Sequence, residues 1–133
     1  MDFTVTKNGT ALVIELQREL TTAIAPELIK ELGKYKGQGV QKVVFDASQL
    51  IFLSSSGIRA VIYAKLSLGN NPEIVFVNCA KEIYDTLKLV GLTSSIKFVK
   101  VAGKKLVRRQ DVLEDFASNN DVVCYTMKMG GND

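Results

Sequence analysis

Three consecutive serines, Ser54-Ser55-Ser56, are the residues whose type and spacing best suit a functional site. They follow a strand-like run, Val43-Val44-Phe45-Asp46, and precede Gly57-Ile58, where a helix is predicted to begin. Open α/β sheets place their binding sites at the carboxyl ends of strands. The first N–H groups of a helix have no acceptor within the helix, and the helix dipole makes that end locally positive. Because an anion is stabilised there, the segment is a candidate phosphate or phosphoserine site.

Helix capping is the competing interpretation of the same serines. Serine is a preferred N-cap because its hydroxyl accepts a hydrogen bond from an N–H of the first turn. Capping accounts for one serine well and for three poorly. From physical chemistry alone, a structural and a functional role both stay open.

The composition argues against enzymatic chemistry. The 133 residues contain no histidine, which excludes Ser-His-Asp and Cys-His arrangements. Cys79 and Cys124 lie far apart, so we interpret them as reduced, buried thiols and find no spacing typical of a metal site. Gly37-Gln38-Gly39 and Gly103-Lys104-Lys105 lack the remaining residues of dinucleotide-binding and P-loop motifs. We expect no catalytic residue, no metal and no cofactor.

Charge is concentrated late in the chain. The net charge is +3, yet residues 86–110 contain no acid and seven basic residues: Lys88, Lys97, Lys100, Lys104, Lys105, Arg108 and Arg109. Such a run is either a patch for an acidic partner or an ordinary solvated surface. Phe98 is the single aromatic residue within it, whereas binding of a single strand uses several stacking residues, so direct nucleic-acid binding is not expected. No apolar run approaches the length of a membrane span and the N-terminus lacks signal-peptide features, so we predict a cytoplasmic protein without membrane association.

Hydrophobic patterning predicts the elements that position the serines. Alternation at Phe3 and Val5, the turn Asn8-Gly9 and the apolar run Ala11–Leu16 predict an opening β-hairpin. Helices are predicted at 21–36, 55–68, 81–90 and 110–117, and further strands at 42–46, 74–77, 95–101 and 122–127. Strands that alternate with helices imply right-handed crossovers. The fold class is therefore α/β, a single domain with a mixed, mostly parallel sheet and three to four helices.

Each predicted helix has an apolar stripe that we expect to face the core. Thr21 or Thr22 is expected to cap the first helix, with Pro26 in its first turn. The strand Val43–Phe45 has no alternation and is expected to be buried on both faces. The predicted stripes are Ile24, Leu28, Leu32 and Tyr35 in the first helix, Ile58, Val61, Ile62 and Leu66 in the second, and Ile83, Leu87 and Val90 in the third.

The order of elements and one local motif resemble the STAS family, the domain of bacterial anti-sigma factor antagonists. The motif is a strand ending in aspartate, here Asp46, followed by Phe52-Leu53-Ser54-Ser55-Ser56-Gly57-Ile58. Arg18-Glu19-Leu20 resembles the family's Gly-Glu-Leu-Asp, and Leu87-Lys88-Leu89-Val90-Gly91-Leu92 resembles the end of its third helix. The resemblance predicts a STAS domain over residues 1–117, with residues 118–133 as a C-terminal extension that includes the predicted extra strand.

The resemblance implies a binding switch that performs no chemistry itself. Family members bind an anti-sigma factor that is also a serine kinase, and this frees a sigma factor for transcription. The kinase phosphorylates the serine before the motif glycine, here Ser56, with Ser55 and Ser54 as alternatives, and a phosphatase resets the switch. We expect Gly57 to let a kinase approach the backbone, and Ser54 or Ser55 to cap the helix. The implied partner-binding residues are Thr21, Thr22, Asp46, Ser54, Ser55, Ser56, Gly57 and Arg59.

Two positions depart from the family pattern. Ser54 stands where the family often has aspartate two residues before the phosphorylated serine, and Thr21 stands where Gly-Glu-Leu is often followed by aspartate. Both changes make the predicted surface less acidic. An alternative function therefore stays open, that of an unphosphorylated STAS subunit acting as a constitutive interaction module in a larger signalling or transport assembly.

Overall fold

A computed structural model describes residues 3–101 and 122–124 of the chain. The helices are α1 (Ala25–Gly33), α2 (Ser55–Ser67) and α3 (Lys81–Leu89), with a short 3-10 turn at Thr93–Ser95. The strands are β1 (Phe3–Asn8), β2 (Ala11–Leu16), β3 (Glu19–Leu20), β4 (Lys42–Asp46), β5 (Phe52–Leu53), β6 (Glu73–Val77), β7 (Ile96–Val101) and β8 (Val122–Cys124).

The main sheet has the strand order β1-β2-β4-β6-β7-β8. Its inner pairs β2–β4, β4–β6 and β6–β7 are parallel, and its outer pairs β1–β2 and β7–β8 are antiparallel. This confirms the predicted mixed, mostly parallel α/β sheet. Strand β8 confirms the predicted last strand over 122–124, while 125–127 and the helix predicted at 110–117 lie outside the described residues.

Helices α1, α2 and α3 connect β2 to β4, β4 to β6 and β6 to β7. Each of these crossover connections leads to the neighbouring strand, always in the same direction across the sheet. Because such crossovers are right-handed, they place α1, α2 and α3 on one face of the sheet. The strand side chains on that face include three stacked rings, with centroids 5.0 Å apart for Phe45 and Phe76 and 5.9 Å apart for Phe76 and Phe98. The opposite face is a separate buried cluster of valines: Val13, Val44, Val75, Val77, Val99 and Val101. The prediction that β4 is buried on both faces is therefore confirmed.

The opening hairpin is confirmed, but its turn is one residue later than predicted. Asn8 is still in β1 and pairs with Ala11, so the two turn residues are Gly9 and Thr10. Gly9 has a φ of +64°, whereas Thr10 is not among the residues with positive φ. Glycine carries no Cβ, so it takes the conformation that the turn requires.

Helix α1 is shorter than predicted because residues 21–24 form a separate turn. The hydroxyl of Thr21 accepts a hydrogen bond from the N–H of Ile24 (3.2 Å), and the carbonyl of Thr21 accepts from the N–H of Ala25 (2.9 Å). Neither Thr21 nor Thr22 is the N-cap, which is Ile24, although Pro26 does lie in the first turn. At the other end the helix finishes at Gly33, so Tyr35 lies beyond it.

The apolar stripe predicted for α2 is wrong in two of its four residues. Ile62 and Leu66 are exposed, at 37% and 74%, and the helix instead buries Gly57, Ala60, Val61 and Ala64. Small side chains on the buried side allow close packing against α1. Val90, expected to face inward, follows α3 and is 52% exposed. In the part of the chain that the structure describes, no helix combines the length and apolarity of a membrane span.

Candidate functional site

A second, two-stranded sheet fixes the approach to the serines. Strands β3 and β5 pair in parallel, with Glu19 opposite Phe52 and Leu20 opposite Leu53. The carbonyl of Arg18 accepts from the N–H of Ile51 (2.8 Å), and that of Leu20 accepts from the N–H of Ser54 (3.0 Å). Sequence reasoning missed this sheet because two-residue strands are too short to show a period. The available signal was one leucine in each segment, Leu20 and Leu53.

Ser54 is the N-cap of α2. Its backbone is extended (φ −79°, ψ 169°), and its hydroxyl accepts a hydrogen bond from the N–H of Gly57 at 3.0 Å. One of the two capping residues expected from the sequence is thereby identified. Ser55 begins the helix and is exposed, and Ser56 follows it in the first turn and is half-buried. The three serines thus have different environments.

Gly57 is buried rather than open to a partner. A Cβ on this residue would lie 2.8 Å from Cδ1 of Leu53 and 3.0 Å from both the carbonyl oxygen and Cγ of Leu20. The expectation that glycine lets a kinase approach the backbone is therefore wrong. Glycine is needed because the helix start packs directly on the β3–β5 sheet.

The β3–β5 pairing brings together the two positions that depart from the family pattern. Thr21 follows Leu20 and Ser54 follows Leu53, so the two residues come directly after a matched pair. The Thr21 hydroxyl accepts from the N–H of Ile24, while the Ser54 hydroxyl caps α2. Thr22 is exposed beside Thr21, and Arg59 is exposed one turn along α2 from Ser55.

Asp46 takes part in a different network at the end of the main sheet. The residue is only 6% exposed, and its Oδ1 accepts hydrogen bonds from the Ser48 N–H (3.1 Å) and hydroxyl (2.6 Å). The Asn78 amide donates to the Ser48 hydroxyl (3.2 Å), and its oxygen accepts from the N–H of Val101 (3.3 Å). The network fastens the ends of β4, β6 and β7 to one another. Among the described residues, no hydrogen bond joins Asp46 to Ser54, Ser55 or Ser56.

Ser48 and Asn78 were not singled out from the sequence. Asp46-Ala47-Ser48 is the spacing at which a carboxylate accepts from a backbone two residues on, which was a usable signal. Asn78 has a φ of +55°, a conformation that asparagine tolerates better than most residues. Both residues organise the strand ends behind the loop that leads to α2.

The surface around the helix start combines exposed apolar side chains with the positive end of the α2 dipole. Ile51 and Phe52, immediately before Leu53, are 54% and 49% exposed. The first turn of α2 contains no acidic residue, so no side-chain carboxylate within it offsets the positive end of the helix dipole. Within residues 3–101 and 122–124, no group of three potential ligands could hold a metal ion. The arrangement suits an anion on a serine and an apolar contact beside it.

Comparison with known proteins gives the same architecture. A family model described as the STAS domain matches residues 2–104. An anti-sigma factor antagonist from Mycobacterium paratuberculosis has a TM-score of 0.63 at 20% identity, with 84% of this chain and 90% of that chain covered. The anti-sigma factor antagonist SpoIIAA in its unphosphorylated form has a TM-score of 0.61 at 16% identity, covering 86% of this chain and 97% of its own.

The Bacillus cell fate determinant SpoIIAA in its phosphorylated form has the same score and identity, with 86% of this chain and 98% of that chain covered. Among curated protein sequences, none matches the chain. The structural likeness establishes the fold, and the family model extends over most of the sequence, including the β3–β5 sheet and the start of α2. The chain belongs to the STAS domain family.

Proposed function

We propose that this protein is an anti-sigma factor antagonist that binds a serine-kinase anti-sigma factor and is released when that kinase phosphorylates Ser56. In this role it is a binding module and a kinase substrate, and it regulates sigma-factor-dependent transcription without catalysing a reaction. The observation that carries the proposal is the position of Ser56 in the first turn of α2, behind a cap that Ser54 already supplies. The fold that the chain shares with anti-sigma factor antagonists supports it.

The electrostatics of the helix start explain why the fold would tolerate the modification. A phosphate adds about −1.5 to −2 charges at neutral pH. The N–H groups of the first turn and the helix dipole stabilise negative charge there, typically by about 0.3–1 kcal/mol. No carboxylate of the first turn opposes it. We therefore expect phosphorylation to leave folding intact.

The partner surface would respond differently. A kinase packed against Ser56 and the neighbouring exposed Phe52 removes water from both residues. A dianion buried in such a contact without a matching cation is costly. Phosphorylation therefore weakens binding, and a phosphatase that removes the group restores the partner-competent state.

The test compares substitutions at two adjacent serines. Ser56→Ala should keep the melting temperature, bind the kinase and resist phosphorylation. Ser56→Asp should also fold but bind at least about tenfold more weakly, a loss of roughly 1.4 kcal/mol. Ser55→Ala and Ser55→Asp are compared with them, because Ser55 is the neighbouring residue of the same turn and the alternative phosphorylation site.

Titration calorimetry with the kinase, thermal melts and intact mass after incubation with ATP supply the readouts. One phosphate adds roughly 80 Da. Equal affinity of the wild type and Ser56→Asp, or a phosphate mapped to Ser54 or Ser55, would show that the switch is not at Ser56. Absence of any mass increment with the cognate kinase would contradict phosphorylation altogether.

The paired departures at Ser54 and Thr21 provide a second test. Both follow the matched pair Leu20–Leu53, so aspartates introduced at both positions would add acid to one small surface. Aspartate caps helices as well as serine does, so Ser54→Asp should preserve the start of α2. The double variant Ser54→Asp with Thr21→Asp should bind a standard family kinase more tightly than the wild type. Unchanged or weaker binding would sink the idea that these residues set partner choice.

The same departures support a second candidate function. A helix start without the two family aspartates suits a constitutive contact in a larger signalling or transport assembly, with no phosphorylation step. The exposed pair Ile51 and Phe52 would serve such a contact equally well. Co-purification from the native cell separates the two functions, since a stable partner without kinase character favours the constitutive module.

A further inference from the structure

An apolar groove lies between the second half of α2 and the turn that follows α3. It encloses about 260 Å³ and its lining includes Val61 and Ile74. We call it the α2–α3 groove. Its other apolar lining residues are Ile62 and Leu66 from α2, with Leu92 and Ile96.

The exposed apolar residues of this groove are not required by the core. Helix α2 buries Ala60 and Ala64, whereas Leu66 is 74% and Ile62 is 37% exposed. These two residues belong to the stripe that helical periodicity assigns to the interior. An apolar stripe that the described fold leaves in water has a driving force to be covered by another molecule.

The charge at the rim identifies the kind of partner. A second cavity of about 350 Å³ continues the groove past Lys65 and Ser95 and is also lined by Glu73 and Lys97. Nζ of Lys97 lies 4.0 Å from the Glu73 carboxylate, which also lies 3.7 Å from Nζ of Lys42. Lys65 donates to the carbonyl of Pro72 rather than to a carboxylate (3.1 Å). Among the described residues, the rim therefore has two lysines, Lys65 and Lys97, against one carboxylate, Glu73, and is net positive.

A positive rim disfavours a second copy of this chain as the occupant. Each copy would bring two lysines, Lys65 and Lys97, and one carboxylate, Glu73, so two copies joined here would both carry an excess of positive charge, and like charges brought together across an interface are costly. An apolar helix flanked by acidic residues matches both features, since its apolar face fills the groove and its carboxylates meet the lysines. We propose that the α2–α3 groove docks such an acidic amphipathic segment of a partner protein.

The groove is separate from the serine surface. Its lining residues on α2 run from Val61 to Leu66, six to eleven residues after Ser55, which is about 9 to 16 Å along the helix axis. A partner in the groove and a kinase at the helix start therefore contact successive stretches of one helix. The protein can hold two partners, and modification at Ser56 acts on one of them.

The experiment uses the full-length chain and a synthetic probe. The probe is a fluorescein-labelled helical peptide of roughly 16 residues, with leucines at i, i+3, i+4 and i+7 and glutamates on both flanks. A matched peptide carries lysine in place of every glutamate. We expect the glutamate peptide to bind in anisotropy titrations and the lysine peptide to bind at least about tenfold more weakly.

Matched variants locate the binding. Leu66→Ser should weaken binding of the glutamate peptide about tenfold, whereas Leu89→Ser, which changes a leucine that does not line the groove and is 87% exposed, should leave it unchanged. Lys97→Gln should reduce the affinity and its salt dependence. Because Leu66 is exposed, Leu66→Ser should melt like the wild type, and Leu66→Gln repeats the test with a different side chain.

Each alternative has its own result. Equal binding of the two peptides, no binding of the glutamate peptide, or equal effects of Leu66→Ser and Leu89→Ser would overturn the proposal. Concentration-dependent dimerisation that Leu66→Ser abolishes would assign the groove to a second copy instead. Ser56→Asp should leave peptide binding unchanged, so failure of the serine switch and failure of the groove are distinguishable.

Discussion

Ser54 and Ser56 are two residues apart and differ in what they can contribute. The hydroxyl of Ser54 accepts from the N–H of Gly57 and so belongs to the helix. Ser56 is half-buried in the first turn, where a charged group meets backbone N–H donors. At the residue scale, the structure therefore assigns the cap to Ser54 and supports the proposal that leaves Ser56 for the switch.

The capping role predicts a stability difference within the serine run. Ser54→Ala removes the acceptor of the Gly57 N–H and should lower the free energy of unfolding by about 1 kcal/mol. Ser55→Ala is the control and should change it by less than about 0.5 kcal/mol, because the Ser55 side chain is exposed and alanine favours helix. Urea denaturation of both variants measures the difference. Equal stabilities would contradict the assigned cap.

Cys79 is a buried thiol that follows Asn78 in the chain. Burial raises its pKa to about 12, so the thiol stays neutral near physiological pH. Only the thiolate reacts readily with thiol reagents. In a Cys124→Ser variant, a thiol reagent at pH 8 should label Cys79 at least on the order of a hundredfold more slowly in the native chain than in denaturant. Fast labelling of the folded protein, followed spectroscopically, would contradict the burial.

The raised pKa of Cys79 also sets a direction for stability. The unfolded chain loses the thiol proton near its usual pKa of 9.0, and the folded chain keeps it until about 12. Between these values the folded state binds more protons, so this group's contribution to stability falls as the pH rises. The Cys79→Ala variant, in the same Cys124→Ser background, should therefore lose less stability than its parent between pH 9 and pH 12.

At the scale of elements, the start of α2 and its two sides make three different kinds of contact. Its start packs on the β3–β5 sheet through Gly57, its buried side carries small residues, and its outer side presents Ile62 and Leu66 to the α2–α3 groove. A helix that used its large apolar residues for the core would have neither the close contact with α1 nor the groove. Element packing therefore decides which of its faces is available to partners.

The close contact at Gly57 predicts the sign of a helix substitution. Alanine is favoured over glycine in helices by about 1 kcal/mol, so Gly57→Ala would stabilise an isolated helix. Here the added methyl would overlap Leu53 and the carbonyl of Leu20, and we expect a net loss of about 1–3 kcal/mol.

Gly33→Ala is the matched control for this substitution. Its Cβ would lie 3.2 Å from the Tyr63 hydroxyl, which is the end of a side chain that can shift. Gly33→Ala should therefore lower the free energy of unfolding by less than about 0.5 kcal/mol. Thermal melts of the two variants compare these effects. A stabilised Gly57→Ala would mean that the β3–β5 sheet does not hold the helix start.

At the scale of the whole molecule, the order of the strands decides where sites can form. Three crossovers in one direction place all three helices on one face, with the start of α2 beyond the carboxyl end of β4. The same order places the α2–α3 groove over the starts of β6 and β7, where Ile74 and Ile96 line it. The serine surface and the groove therefore occupy successive stretches of α2 and are held by one core.

The packed phenylalanine rings beneath the helices predict how much stability a large side chain of β4 contributes. Phe45 is fully buried, and its ring centroid lies 5.0 Å from that of Phe76. Phe45→Ala should lower the free energy of unfolding by about 3–5 kcal/mol. Phe52→Ala truncates a half-exposed ring and is the control, with a smaller loss expected. A near-neutral melting shift for Phe45→Ala would contradict the central position of β4.

The local patterns of this sequence determined the class of the fold. The apolar runs at Val43–Phe45 and 74–77, the alternation at Ile96 and Phe98, and the glycines after the helices predict strands and helices that the structure contains. The motif that ends at Gly57 also located the start of α2 correctly. These features are readable because period, turn residues and caps are properties of consecutive residues.

Tertiary structure alone decided which side chains meet. Periodicity placed Ile62 and Leu66 in the core, but α2 is rotated so that Ala60 and Ala64 face inward, because small residues permit close packing against α1. Contacts between segments far apart in the chain form the β3–β5 sheet and the Asp46–Ser48–Asn78 network. Such contacts also explain why position 57 requires glycine. A period shows that a helix has an apolar side, and only packing against neighbouring elements determines which side is buried.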